Sequence, residues 1–541
     1  MKKTGLFLLA IIFLAACTGK TKADLLIINA KIYTVDSLFS TAEAMAVKDG
    51  KILATGTLAD LQHMYEAKET VEANGKFIYP GFIDAHAHFV GYGLDLQSAD
   101  LIGTDSWEEV LERLTAFAAT HPTGWIEGRG WDQNDWPVKE FPDNTKLNAL
   151  FPDRPVMLRR VDGHAVIAND VAIKMAGITA GQKVTGGDVI VKNNKVTGVL
   201  IDKAIDLVAR FIPPVDSVQF RRAIADAQKN CYAMGLTTIT DCGLNYTEVD
   251  ELLALEKSGD LKMRLYVMLH DSPENQDYLE KKGIIKTDRI HVRSFKVYGD
   301  GALGSRGACL LQPYSDQPGY SGFLLSQPEH FDSVASWIAA RDFQMCTHAI
   351  GDSGNRMILN VYDKYLKGKN DRRWRVEHAQ VVNKNDFDLF GKNNVIPSVQ
   401  PTHATSDMYW AEDRLGAERV KGAYAFQQLL QQNGWLPLGT DFPVEDISPF
   451  KTFLAAVARK DAKGWPEGGY LMENALTREQ TLRGMTIWAA RSSFEEKEKG
   501  SLEAGKLADF IILDKDLMTV DAPDILNIKV LNTYVGGSKV H

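Results

Sequence analysis

Residues 79–88 read Tyr79-Pro80-Gly81-Phe82-Ile83-Asp84-Ala85-His86-Ala87-His88. A short apolar run leads into a His-x-His. Side chains alternate between the two faces of a strand, so His86 and His88 point the same way. Two imidazoles presented together are a metal-binding arrangement. Two ordinary polar residues at a strand end would read the same, so the reading turns on what else reaches this point.

Apolar runs of strand length recur at 77–83, 236–241, 264–269, 292–298, 343–348, 374–379, 395–400 and 435–440. Helical patterns lie between them. Eight such strands predict an α/β fold, a TIM-like (β/α)8 barrel. A further candidate, 155–160, falls within residues 104–230, which read as an insertion after the first barrel strand. Ser106-Trp107-Glu108-Glu109 is a capping box ahead of Val110, Leu111 and Leu114, and Thr477 to Gln480 offers another. Val334, Trp337 and Ile338 give 332–341 an apolar helical stripe.

More polar residues fall at or near the C-terminal ends of these strands. Lys296 lies in 292–297, His348 ends 343–348, His378 ends 374–378, and Asp441 follows 436–440. In a barrel these ends converge on the active face. His86, His88, Lys296, His348, His378 and Asp441 arriving together is hard to credit to core packing.

The two ends of the chain read differently. Residues 25–35 and 44–54 are short β-rich runs, and Lys48-Asp49-Gly50-Lys51 gives the second a hairpin turn. Residues 508–513 and 528–535 are strand-like as well. One small β-sandwich built from 24–76 and 500–541 is expected, with the barrel over 77–495.

Lys2 and Lys3 precede a mostly apolar stretch from Gly5 to Ala16, too short for a transmembrane helix and suited to a signal sequence. Leu14-Ala15-Ala16-Cys17 resembles a bacterial lipobox. The expectation is that residues 1–17 form a lipoprotein signal and that Cys17 carries the lipid. Thr18 after Cys17 points to the outer membrane of the cell envelope, facing the periplasm.

The 541 residues are 45% hydrophobic and 24% charged, so a large core is available. Lys plus Arg number 61 against 70 acids, a formal charge of -9, with no long basic tract. A nucleic-acid partner is therefore not expected. Cys231, Cys242, Cys309 and Cys346 permit bridges without requiring them, and Cys231 and Cys346 lie in apolar runs typical of buried thiols.

Taken together the motifs resemble the amidohydrolase superfamily and, within it, the Amidohydrolase 3 group of YtcJ-like enzymes, which includes an N-substituted formamide deformylase. They are GFIDAHAHF at 81–89, GRGWDQNDW at 128–136, VDGHAVIAND at 161–170, FKVYGDGALGSR at 295–306, THAIGD at 347–352, RVEHAQ at 375–380, LGTDFPVE at 438–445 and GSLEAGKLADFIILD at 500–514. The resemblance spans essentially the whole chain after Cys17. It implies that His86 and His88 hold a buried metal with Asp441. It implies also that Lys296, carboxylated, bridges to a second metal held by His348 and His378. Without that carboxylation the site would be mononuclear, with Lys296 paired to an acid such as Asp300.

The resemblance further implies Zn2+, one ion or two, with other divalent metals open. A metal-bound hydroxide would attack a carbonyl, and Asp441 would take its proton and return it to a leaving amine. Asp441 could also be a ligand only. His403 is a candidate oxyanion donor or substrate contact, and His164, from the insertion, a candidate substrate contact. Trp131, Asp132 and Trp136 could line the cleft or pack in a core. Gly299, Gly301 and Gly304 suggest close backbone approach beyond Lys296, and Arg306 could meet a substrate carboxylate or Asp300. The expected activity is hydrolysis of amide-like C–N bonds in a small molecule, such as N-formyl or N-acyl amines or cyclic amides. Ester or lactone hydrolysis, deamination, and an inactive binding lipoprotein are the alternatives. A homodimer is left open.

Overall fold

The computed structural model describes residues 19–541. The lipobox at Cys17 lies outside them. Strands Phe82–Ala87, Leu236–Leu244, Arg264–His270, Ile290–Tyr298, Gln344–Ala349, Arg375–His378 and Ile396–Ser398 pair in parallel, in chain order. Their residues are almost all buried, as strands covered on both faces require.

The eighth position is filled by 436–441, which is not a regular strand. It still closes the ring. Val399 N–H donates to Pro437 O at 3.2 Å and Gly439 N–H to Val399 O at 3.0 Å. On the other side Ala85 N–H donates to Leu438 O at 3.1 Å, and Asp441 N–H to His86 O at 2.7 Å. Pro437 has no N–H to offer a ladder. Gly439 passes so close to the first strand that a Cβ there would stand 2.6 Å from His86 N.

The first predicted strand, 77–83, is two strands. Phe77–Pro80 joins the sandwich and Phe82–Ala87 begins the barrel. The chain changes sheets at Gly81, where a Cβ would meet the Thr237 side chain at 2.3 Å.

The sandwich is made from both ends of the chain. One sheet has four strands, all within Thr21–Glu72. The other has six strands and pairs Phe77–Pro80 with Phe510–Leu513, which pairs in turn with Val530–Val535. Leu25, Met45 and Val47 of the first sheet share a buried cluster with Ile78, Phe510, Ile512 and Tyr534 of the second. The run 25–35 divides between the sheets at Asn29, whose φ is +54°. Asp49 and Gly50 turn the predicted hairpin with φ of +49° and +74°, the positive pair that a tight hairpin needs.

A six-stranded sheet from Ala99 to Asp202 follows the first barrel strand and has its own core of Leu114, Trp131, Val156, Leu158, Ile167 and Val199. Val156–Arg160, the surplus strand of the sequence, belongs here. Ser106 caps the helix Trp107–Thr120 by accepting from Glu109 N–H, while the Glu109 carboxylate turns to Asp105 N–H, so the box is half closed. The box at Thr477 and Gln480 is complete. Pro328–Ala339 is the helix expected near 332–341, with Val334 and Ile338 buried. Cys231, Cys242, Cys309 and Cys346 are all free, and all but Cys309 are buried. Among the described residues no helix is long and apolar enough to cross a membrane.

Candidate metal centre

The alternation of Phe82–Ala87 places Asp84, His86 and the adjoining His88 on one side. Asp84 accepts from Thr440 N–H at 3.0 Å, from the Thr440 hydroxyl at 2.7 Å and from His86 N–H at 3.1 Å. It thereby ties the first strand to the segment that carries Asp441. Asp441 Oδ1 then lies 3.1 Å from His88 Nε2 and 3.5 Å from His86 Nε2. His86, His88 and Asp441 present ligand atoms within 4.8 Å of one another.

A second group shares Asp441. His378, His403 and Asp441 also bring ligand atoms within 4.8 Å. The imidazole of His348 packs against that of His378, ring centres 4.6 Å apart, but belongs to neither group. Its Nε2 is 3.5 Å from Gly301 O. A second metal on His348 and His378 would therefore need a third donor, the place the carboxylated Lys296 would fill.

The donor set fits a divalent ion. Asp441 Oδ1 is buried and faces only the imidazoles of His86 and His88, an arrangement in which a cation between the carboxylate and the two rings would be well held. Burial, and then the charge of Lys296, push His86 down to about 4, so its ring is neutral, as a ligand must be. Burial and neighbouring imidazoles hold His348 and His378 well below their ordinary value. Burial opposes ionisation of Asp441, but hydrogen bonding from His403 and the nearby His86 outweigh it and keep Asp441 charged.

His403 faces two carboxylates. Its Nε2 is 3.2 Å from Asp441 Oδ2 and its Nδ1 is 2.9 Å from Glu445 Oε1. Burial disfavours its cation, but the bonds to Asp441 and Glu445 prevail and raise it to about 10. As a cation His403 donates to Asp441, in keeping with a donor role.

Backbone conformation brings two of these residues inward. Asp441 has φ of +65° and His378 has φ of +72°, a region that non-glycine residues rarely occupy and that concentrates at functional sites. On the sixth strand Arg375 and Glu377 share the face toward the barrel interior, so plain alternation would turn His378 away. The positive φ returns it.

Lys296 is 1% exposed, and its Nζ lies 3.0 Å from His86 Nε2. It is not paired with Asp300. That carboxylate accepts backbone N–H groups from Cys309, Ile350 and Gly351 at 2.8–2.9 Å and organises the loop beyond Lys296. Arg306 pairs with Asp316 at 2.8 Å, again not with Asp300. Gly299 and Gly301 do permit close approach, since a Cβ would stand 2.7 Å from His348 O and 2.5 Å from Asp202 Oδ2. Trp131 and Trp136 do not line the cleft. They pack in the core of the insertion and donate to Leu158 O and Thr104 O. Asp132 is engaged by Arg160 and caps a short turn through Asn134 N–H.

His164 reaches the site from the insertion, its ring centre 5.1 Å from that of His348. The sequence reading missed its partner Asp202, and it missed Glu377, Arg375 and Glu445. Glu377 and Arg375 stood inside RVEHAQ, where two charged residues in a barrel strand were a usable signal.

The profile of the amidohydrolase family matches residues 69–541. The chain belongs to the amidohydrolase family. Among relatives of this amidohydrolase, Protein LONG AFTER FAR-RED 3 of Arabidopsis thaliana is 33% identical, over 96% of this chain and 92% of the relative. The putative amidohydrolase YtcJ of Bacillus subtilis is 31% identical, over 94% and 98%. The N-substituted formamide deformylase of Arthrobacter pascens is 25% identical, over 95% and 97%. The crystal structure of an uncharacterised metal-dependent hydrolase from Pyrococcus horikoshii superposes with a TM-score of 0.75 at 29% identity, covering 92% of this chain and 99% of that one. Family, fold and ligand cluster together make this amidohydrolase a metal-dependent hydrolase.

Proposed function

We propose that this amidohydrolase cleaves the C–N bond of a small amide, an N-formyl or N-acyl amine or a cyclic amide, with zinc as the first candidate metal. The observation that carries this is the buried Asp441 Oδ1 facing the imidazoles of His86 and His88. His86, His88 and Asp441 would hold a divalent ion there, which would supply Lewis-acid activation of a water and of the amide carbonyl. Asp441, charged and partnered by His403, takes the proton of the nucleophile and passes it to the departing amine. His403 donates through its two ring N–H groups to Asp441 and Glu445 and so holds Asp441 in its charged form. The burial of Lys296, and its lack of any carboxylate partner among the described residues, support a carbamate that would join a second ion to His348 and His378.

The formamide choice draws support from the A. pascens relative, whose activity is its own. The test is amine release from a panel of N-formyl, N-acyl and cyclic amides by protein loaded with zinc and bicarbonate, with and without chelator. Chelator-sensitive release is expected. A metal-loaded, folded protein that releases no amine but cleaves esters or lactones, or releases ammonia from an aminated ring, would overturn the amide assignment.

The lipobox at Cys17 supports anchoring of the protein to the cell envelope, in the outer membrane on the periplasmic side. Cys17→Ser should release it to the soluble fraction; continued membrane attachment would refute lipid as the anchor.

A further inference from the structure

Directly under the candidate centre lies a chain of fully buried charges that the proposed chemistry does not use. Arg375 and Glu377, two residues apart on the sixth barrel strand, both show no exposure. Arg375 Nε is 2.6 Å from Glu377 Oε1, and its NH2 is 3.1 Å from Glu377 Oε2. The same guanidinium donates to Ala85 O on the first strand at 2.5 Å and to Ser398 Oγ on the seventh at 2.8 Å. Arg375, which holds Glu377, is thus itself fixed to the first and seventh strands. Glu377 Oε2 lies 2.5 Å from His86 Nδ1.

Contacts on the other side of the imidazole fix where its proton sits. Lys296 Nζ stands 3.0 Å from His86 Nε2. Nζ offers only N–H donors, whether as an ammonium or as the N–H of a carbamate, so Nε2 is the bare nitrogen and Nδ1 carries the proton that Glu377 accepts. Nε2 is also the nitrogen that faces Asp441. One tautomer satisfies both contacts, and it is the one that presents a lone pair to a metal.

We propose that Glu377, clamped by Arg375, is a positioning residue that fixes the tautomer and orientation of His86 and so sets the metal affinity of the centre. The inference rests on the metal reading above. A carboxylate behind a ligating imidazole locks the ring and makes it a stronger donor, and removing such a partner typically weakens metal binding about 10–100-fold. The pair is not explained by stability alone, because a buried ion pair gains little over apolar packing once desolvation is counted.

The test is zinc affinity of the full chain, stripped of metal and titrated against a chromophoric chelator. Glu377→Gln should weaken zinc binding about 10–100-fold. In a His86→Ala background the same change should add no further loss, because its effect runs through His86. Melting of the metal-free proteins reports folding separately. If Glu377→Gln leaves Arg375 uncompensated and does not fold, the double variant R375M/E377Q, which removes both charges, is read in its place with the same expectation. Affinity equal to the parent's, or an equal loss without His86, overturns the proposal. A parent that binds no zinc overturns the metal reading and this inference with it; a parent that binds while the variant binds equally overturns this inference alone.

Discussion

His164 Nδ1 lies 2.6 Å from Asp202 Oδ1, and both residues come from the insertion, not from the barrel. The other oxygen of Asp202 faces the glycine loop beyond Lys296, where a Cβ on Gly301 or Gly307 would stand 2.5 or 2.6 Å from it. The insertion thereby delivers one oriented imidazole to the barrel mouth, outside both ligand groups. His164→Ala is expected to lower kcat/KM by about 10²–10⁴, the range of a lost proton-transfer or oriented polar group. Bound metal should not change. Steady-state kinetics beside elemental analysis decide it: a parallel loss of metal would move His164 into the ligand set.

Asp441 is asked to do two things, to hold the metal and to carry a proton. Asp441→Asn keeps the size of the side chain and removes its charge and basicity. Turnover should fall by at least about 10², with the circular dichroism spectrum unchanged. Robust activity in a metal-loaded Asn variant would leave Asp441 no part in proton transfer.

The strand ends account for how much of this was legible in the sequence. His86, His88, His348, His378 and Asp441 stand out because a polar residue that closes an apolar strand gains nothing there from packing. The sandwich was legible in its strands but not in its seams. Gly81 and Asn29 each switch the chain between sheets inside one continuous apolar run. Pairings across distance were out of reach: Asp202 is 38 residues from His164, and Glu377 is 291 from His86. The inward turn of His378 depends on a backbone angle that no residue type announces.

Gly439 sits where the closing segment of the barrel touches the first strand. A Cβ there would stand 2.6 Å from His86 N and 2.9 Å from His86 O, and backbone cannot swing aside as a side chain can. Gly439→Ala should push 436–441 outward and carry Asp441 with it. We expect a stability loss of about 1–3 kcal/mol, typical of overpacking, together with weaker metal binding. Thermal unfolding and zinc titration check the pair of effects; an unchanged affinity would show that Asp441 holds its place independently of this contact.

Arg264, at the start of the third barrel strand, joins Asp509, which leads into the sandwich. Nε to Oδ2 is 2.7 Å, NH2 to Oδ1 is 3.1 Å, and Gly536 N–H adds a third bond to Oδ1 at 2.7 Å. Burial would raise Asp509, but the Arg264 guanidinium outweighs it and holds the carboxyl below its ordinary value. A carboxylate depressed in the folded state contributes stability above its unfolded pKa, and that contribution is lost as pH falls toward the folded one. The loss should therefore begin near pH ~4, the unfolded value of an aspartate. Asp509→Asn leaves Arg264 buried without a partner and should cost about 3–5 kcal/mol at neutral pH. The gap between parent and variant, followed by thermal or denaturant unfolding, should close as acid protonates Asp509 in the parent. A gap of constant size down to the acid limit would mean that hydrogen bonding by the side chain, not its charge, joins the sandwich to the barrel.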